Sequence, residues 1–250
     1  MTKKQISALD LSTDNYYINM LCYGLPGVGK TRAIATAPTP YLINIENNLM
    51  SLRGEKGIGG ASPKNWPELK TVLTAVETRL EKKAFPYKTL CIDSLTEMGN
   101  MRLAHAEDVE KLSGYSLWGI VAKDLLVWLR RLKAMEIHIY AVCQAQDEKD
   151  EKTGVIKTSP AIIGNRIARE LPYIFDEVFL LERSVNRDGV ASSMFKTTGS
   201  GNTIVKDHSG KLNQYEPPNL TKIFNKALSI DISEFNVEDD NNKTKEMTNG

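Results

Sequence analysis

The sequence contains no apolar run long enough to cross a membrane, so no membrane association is expected. No signal-peptide pattern opens it, and a cytoplasmic location is expected. Cysteine is scarce. Cys22, Cys91 and Cys143 each fall inside an apolar, strand-like segment, as small buried hydrophobes in a reducing compartment do. Their spacing fits no zinc site. The chain has three histidines, and His105 lies near an apolar helical stripe without a cluster of partners, as a packed or surface residue rather than a ligand. A surplus of charge is also missing: 32 Lys and Arg against 31 Asp and Glu leave a formal net charge of +1. No global basic field attracts nucleic acid, so any such contact must come from local loops. No internal repeat is visible.

What remains suits one large α/β domain. The 250 residues and 41% hydrophobic content are enough for a sizeable core. Residues 1–16 read as an N-terminal segment and 17–232 as the core. Residues 233–250, ending in NVEDDNNKTKEMTNG, are polar and expected to be disordered.

One stretch carries chemistry on its own. YGLPGVGKTR, residues 23–32, contains Gly24, four residues, then Gly29, Lys30 and Thr31, the G-x-x-x-x-G-K-[ST] P-loop pattern. Glycines let successive N–H groups point inward at phosphate oxygens. A helix beginning near Lys30 would add its positive end. The expected nucleotide contacts are Gly24, Leu25, Pro26, Gly27, Val28, Gly29, Lys30, Thr31 and Arg32. Lys30 is expected on the β- and γ-phosphates, and Thr31 on Mg²⁺. The context fits: YINMLCY (Tyr17–Tyr23) has strand character, and KTRAIATA (Lys30–Ala37) is helix-compatible up to Pro38.

Further strands are expected at Pro40–Asn47, Lys88–Ser94, Ile137–Gln144 and Asp176–Glu182. A glycine-rich loop follows at Leu52–Pro63. A helix capped by Asn65 and Glu68 runs through Leu69, Val72, Leu73, Val76 and Leu80. A second carries Leu95, Met98, Met101, Val109 and Leu112. GYSLWG (Gly114–Gly119) breaks the pattern before a third helix through Val121, Leu125, Trp128 and Leu132. A long polar loop spans Ala145–Pro160. Short β segments near Ser193–Thr197 and Thr203–Val205 suggest a small C-terminal β-hairpin, and a helix follows Pro217-Pro218. Alternating strands and helices imply a mostly parallel sheet flanked by helices, with ligands at the carboxyl ends of the strands.

Asp93 ends an apolar strand and is expected to hold the Mg²⁺ shell through water. The next position, where many ATPases place a catalytic Glu, is Ser94. Glu97 and Glu46 compete for the water-activating role. Glu97 suits a helix first turn for its dipole alone. Glu46 ends the strand YLINIE, where packing does not explain a charge, and is preferred. Gln144 closes the fourth strand as a candidate γ-phosphate sensor.

In order, GLPGVGKTR, LINIEN, TLCIDSLTEM, GYSLWG and AVCQAQ resemble the RecA core. Over residues 17–230 the chain looks like the short, phage-encoded RecA-like ATPases described as single-strand annealing proteins or minimal recombinases. The resemblance implies a RecA-like P-loop NTPase core that binds ATP, Mg²⁺ and single-stranded DNA. It implies catalysis by Glu46 with Lys30 and Gln144, and a homo-oligomer, filament or ring, with ATP between subunits. A single-stranded DNA binding protein is a further expected partner. Lys206 and Lys196 become candidates to complete a neighbour's site, and His208 stands where relatives often carry a basic residue. The first DNA loop would be about Ser113–Gly119, with Tyr115 and Trp118 as stacking groups or core anchors. The second would be Ala145–Pro160, with Lys149, Lys152 and Lys157. Between Ala145 and Glu170 basic and acidic residues balance, so only a fold that segregates them can bind phosphates. Rival readings are an ATP-gated binding module with negligible turnover, a small phosphotransferase, for which no arginine-rich lid is seen, and a helicase-loader-like or motor ATPase using Arg183 or Arg187.

Overall fold

The computed structural model describes residues 16–185, 189–199 and 201–229. Most of residues 1–16, and the tail expected at 233–250, lie outside these. In chain order the strands are β1 (Asn19–Gly24), β2 (Pro40–Asn44), β3 (Gly59–Ala61), β4 (Thr89–Asp93), β5 (His138–Lys149), β6 (Ile156–Ala161), β7 (Glu177–Val185), β8 (Ala191–Lys196), β9 (Lys206–Asp207) and β10 (Tyr215–Glu216). The helices are α1 (Trp66–Glu81), α2 (Leu95–Asp108), α3 (Gly114–Lys133), α4 (Asn165–Ile174) and α5 (Leu220–Leu228). They form one sheet in the order β10-β8-β7-β1-β5-β4-β2-β3, with β6 on β5 and β9 on β7. The run β7-β1-β5-β4-β2-β3 is parallel. The expected α/β class with a mostly parallel, helix-flanked sheet is what the chain adopts.

Alternation along the central strands builds two cores. Leu21 and Tyr23 face α1–α4 with Leu73, Leu125, Leu129 and Leu171. Met20 and Cys22 face the other side with Ile34, Ile223 and Phe224 of the α5 layer. All three cysteines are buried. His138, at the base of β5, accepts the Ile18 N–H on Nδ1 at 3.0 Å and stacks on Phe224 with centroids 4.7 Å apart. Burial pulls its pKa down to about 4, so the ring stays neutral and able to accept. Arg102 of α2 is buried, donates to Asp124 of α3 and to Glu110, and lies over the Trp66 ring of α1. It ties three helices at one point.

Several local expectations are corrected. KTRAIATA forms only a five-residue 3-10 turn, Arg32–Thr36. Eight residues separate Thr31 from Pro40, too few for an α-helix and a return to the sheet, and Thr36 is drawn toward α5: its hydroxyl accepts from Leu220 N–H at 2.9 Å. An α-helix N-terminus therefore does not back the loop. β2 stops at Asn44, so Glu46 follows the strand rather than ending it. The glycine-rich loop contains edge strand β3, and a Cβ on Gly60 would sit 2.5 Å from the Leu42 carbonyl oxygen. Asn65 caps α1, accepting from Glu68 N–H at 3.0 Å, while the Glu68 carboxylate reaches Lys64 N–H at 2.8 Å. α2 ends at Asp108, leaving Val109 exposed.

GYSLWG is no break: α3 begins at Gly114 and absorbs it. The polar stretch 145–160 is not a loop but a β5–β6 hairpin, paired from Gln144↔Ala161 to Lys149↔Ile156. α4 was not legible, since Pro172 and its many charges hide it. Segments 193–197 and 203–205 do not pair with each other. β8 pairs with β7 and β10, and Thr203 bridges Thr158. The C-terminal hairpin is therefore β7–β8.

Beneath β7, Glu177 is buried with Asp207 beside it, and accepts the N–H groups of His208 and Ser209. Burial foremost, then the Asp207 charge, pushes the Glu177 pKa up to about 8. The folded chain thus holds a proton that the unfolded chain releases near 4.5. Stability contributed by that proton is complete in acid and is lost as pH rises through about 8. Denaturant midpoints should fall from about pH 4.5 to about pH 8 and level off above it, and Glu177→Gln should flatten this part of the profile. An unchanged slope in the Gln variant would remove Glu177 as the cause.

Candidate nucleotide site

The glycine pattern is enforced by space and by backbone sign. A Cβ on Gly24 would meet the Leu181 carbonyl oxygen at 2.5 Å, so β1 and β7 can lie this close only with glycine there. Gly27 and Gly29 have φ of 78° and 103°, which turn the loop Leu25–Lys30 back over the strand end. Leu25, Pro26 and Arg32 are exposed, and Val28 is buried. The Lys30 amine spans the mouth of the loop, donating to the carbonyls of Gly24 at 2.7 Å and Leu25 at 2.9 Å. Two hydroxyls fix the loop from outside. Tyr140 of β5 donates to the Lys30 carbonyl at 3.0 Å, and Ser193 of β8 to the Val28 carbonyl at 2.7 Å.

Strand register brings the acids to this loop. β4 lies between β2 and β5, with Asn44↔Asp93↔Val142 in line. Past the end of β2, Ile45 and Glu46 N–H both donate to the Asp93 carbonyl, at 2.7 and 3.1 Å. Thr31 Oγ1 donates to Asp93 Oδ2 at 2.6 Å. Asp93 is buried, and burial raises its pKa above the usual carboxylate range; Glu46 pushes the same way, while the Thr31 hydrogen bond and Lys30 oppose. A hydroxyl and a carboxylate at this spacing are the hard oxygen donors Mg²⁺ takes alongside phosphates and water. Thr31 and Asp93 are the residues that would hold it.

Glu46 is exposed, and its carboxylate accepts from the Ser94 hydroxyl at 2.5 Å. Ser94 also caps α2, accepting Glu97 N–H at 3.2 Å. Ser94, at the position where many ATPases place a catalytic Glu, thus binds a Glu from the segment just past the neighbouring strand β2. Glu97 instead accepts from Asn100 at 3.1 Å on α2.

Gln144 pairs with Gly24 across β5 and β1. Its side chain is exposed, and its N–H donates to Thr96 Oγ1 at 3.0 Å, while Thr96 donates to the Ala161 carbonyl at 2.6 Å. Thr96 pins the root of the β5–β6 hairpin to α2.

The remaining candidates are spread out. Tyr115 is fully exposed and Trp118 half-exposed on the first turns of α3, so Tyr115 is no core anchor. Lys149, Lys152 and Lys157 are exposed on the hairpin. Lys206 is committed within its own chain: its amine donates to the Pro172 carbonyl at 3.0 Å and to that of Phe175, closing the end of α4. Lys196 ends β8 opposite Leu180 and Tyr215. His208 offers its backbone N–H to Glu177. Arg183 is exposed on β7, and Arg187 lies outside the described residues. Sequence reading missed Tyr140, Thr96 and Ser193. A lone tyrosine hydroxyl inside an apolar strand was the one available signal; the other two are ordinary polar residues until the chain is folded.

Two substitutions should separate shape from chemistry. Gly24→Ala should cost about 1–3 kcal/mol of stability through overpacking against Leu181. Lys30→Ala should melt near wild type, since that amine binds only loop carbonyls, yet lower ATP turnover by on the order of 100-fold or more. A Lys30→Ala protein that turns over like wild type would sever this loop from the chemistry.

No curated protein matches the chain significantly. The sequence profile of one family, AAA_24, described as an AAA domain, matches residues 17–209. That span contains the loop, Glu46, Asp93, Gln144 and the hairpin, and the chain belongs to this family of AAA-domain P-loop ATPases.

Proposed function

We propose that the protein is an ATP-dependent single-stranded DNA binding protein that promotes strand annealing or homologous pairing in phage recombination and hydrolyses ATP at subunit interfaces. The observation that carries the reading is β5 itself. The strand that presents Gln144 beside Gly24 continues without interruption into the β5–β6 hairpin. The candidate phosphate sensor and the lysine-bearing hairpin therefore share one element.

In this reading the Lys30 amine leaves the Gly24 and Leu25 carbonyls for phosphate oxygens. Mg²⁺ held at Thr31 and Asp93 would screen phosphate charge. Glu46, oriented by Ser94, takes a proton from the attacking water. The Gln144 amide hydrogen-bonds the terminal phosphate, and its loss is passed along β5 to the hairpin. The resemblance to annealing proteins supports DNA as the ligand. For completion of the site by a neighbour, Lys196 is the freer of the two lysines, because Lys206 already closes α4. The exposed Arg183 favours a second reading, a motor or loader ATPase with an arginine at the interface.

Glu46→Gln should retain ATP binding, lose turnover by roughly 10²–10⁴-fold, and hold the DNA-competent state. Ser94→Ala should lower turnover less, with little change in ATP affinity. Normal hydrolysis by Glu46→Gln alongside a dead Glu97→Gln would transfer the role to Glu97.

Titration of single-stranded DNA with ATP, ADP and no nucleotide tests the coupling. ATP should tighten DNA binding, and DNA should tighten ATP binding by the same factor. Equal affinities in all three conditions would remove the switch. Loss of turnover in Arg183→Ala but not in Lys196→Ala or Lys206→Ala would favour the motor reading.

A further inference from the structure

A polar groove of about 750 Å³ runs between the β5–β6 hairpin and α4. Gln146, Glu148, Lys157 and Ser159 line it from the hairpin, and Arg169 and Tyr173 from α4. Gln146, Glu148, Lys157 and Ser159 share one face of the hairpin, as the pairs Gln146↔Ser159 and Glu148↔Lys157 require. The Gln146 amide donates to Ser159 Oγ at 3.3 Å, which braces the floor. Gln144 belongs to the same alternating set, two residues along β5 from Gln146.

Folding sorts the charges that balance in the sequence. Glu170 is held by Arg130 at 2.8 Å and Arg166 at 3.0 Å. Asp147 accepts the Thr158 hydroxyl at 2.7 Å. Asp150 accepts the N–H groups of Lys152 and Thr153 at the hairpin tip, at 2.8 and 3.0 Å. Of these only Glu170 is ion-paired; Asp147 and Asp150 are held by a hydroxyl and by backbone N–H groups, and Glu151 is exposed at the tip. Lys149, Lys152, Lys157 and Arg169 make no ion pair among the described residues. Two of these four bases line the groove, with Glu148 as the acid among its walls. Beside them Tyr173 is 84% exposed, an aromatic face that no described residue covers.

We propose that this groove seats the single strand itself: Lys157 and Arg169 take its phosphates, and one base stacks on Tyr173. The inference rests on the DNA-binding reading above and moves the contact surface. The strand lies along α4 and the hairpin face that carries Gln144, rather than on Tyr115 and Trp118 at the start of α3. The groove's volume is that of a small-ligand site and suits roughly one or two unpaired nucleotides. Unpaired bases offer the π-faces that a duplex conceals.

The test uses the full chain with Mg²⁺ and a non-hydrolysable ATP analogue, and follows fluorescence anisotropy of a labelled oligothymidylate. Tyr173→Ala should weaken binding by roughly 5- to 100-fold, Tyr173→Phe should restore it, and an abasic strand should not sense either change. Lys157→Ala and Arg169→Ala should each reduce the log–log salt slope by about 0.7. Glu148→Gln should tighten binding, a gain that damage to the fold cannot mimic. Wild-type affinity in all these variants, with wild-type protein binding DNA, would overturn the groove and leave the DNA reading standing. Variants that alter only subunit assembly would also overturn it, marking the groove as a contact between copies. If wild-type protein binds no single strand with any nucleotide, both readings fall together.

Discussion

The site depends first on strand register. Gly24 is level with Gln144, and Asp93 is level with Asn44 and with Val142. β1, β2 and β4 therefore end within two residues of one another on the same edge, while β5 runs on past it with Gln144 still paired to Gly24 and Ala161. Everything chemical follows from that alignment. The Asp93 carbonyl takes the N–H groups of Ile45 and Glu46, which ties the chain just past β2 to the end of β4. A slip of one residue in any of these strands would turn its terminal side chain to the opposite face of the sheet.

The loop is steadied by borrowed hydroxyls rather than by a helix. Only a 3-10 turn follows Thr31, so the dipole of a long helix is missing. Tyr140, Ser193 and Thr31 each spend a hydroxyl here, on Lys30, Val28 and Asp93 respectively. Each comes from a different element, so β5, β8 and the loop constrain one another. The close approach of β7 to Gly24 adds a steric wall on the same side.

The fold class, and the order of the P-loop, Glu46, Asp93 and Gln144 along the chain, were legible because buried parallel strands are apolar runs; of the polar residues read as strand ends, Asp93 ends β4, while Glu46 lies two residues past β2 and Gln144 sits midway along β5. The capping of α1 was legible for a similar reason, since Asn65 and Glu68 interact locally. What stayed hidden is non-local. Residues 145–160 read as a loop because a hairpin exposed on both faces has no apolar alternation to betray it. α4 was obscured by Pro172, and the short turn after Thr31 was set by its bond to α5, 184 residues away. The grip of Ser94 on Glu46 joins residues 48 apart and leaves no mark on either local pattern. Lys206 had the look of a free cation but is spent on carbonyls of its own chain.

β5 has a mechanical consequence. Its first half is clamped between β1 and β4, and its second half pairs, among the described residues, only with β6. The six residues from Gln144 to Lys149, five steps apart, span roughly 17 Å at the usual strand rise. Such a beam has its fulcrum at the sheet edge, where Thr96 holds both Gln144 N–H and the Ala161 carbonyl. A tilt of a few degrees there would sweep the far end through roughly an ångström, so a small rotation at the strand's root would be enlarged at its tip.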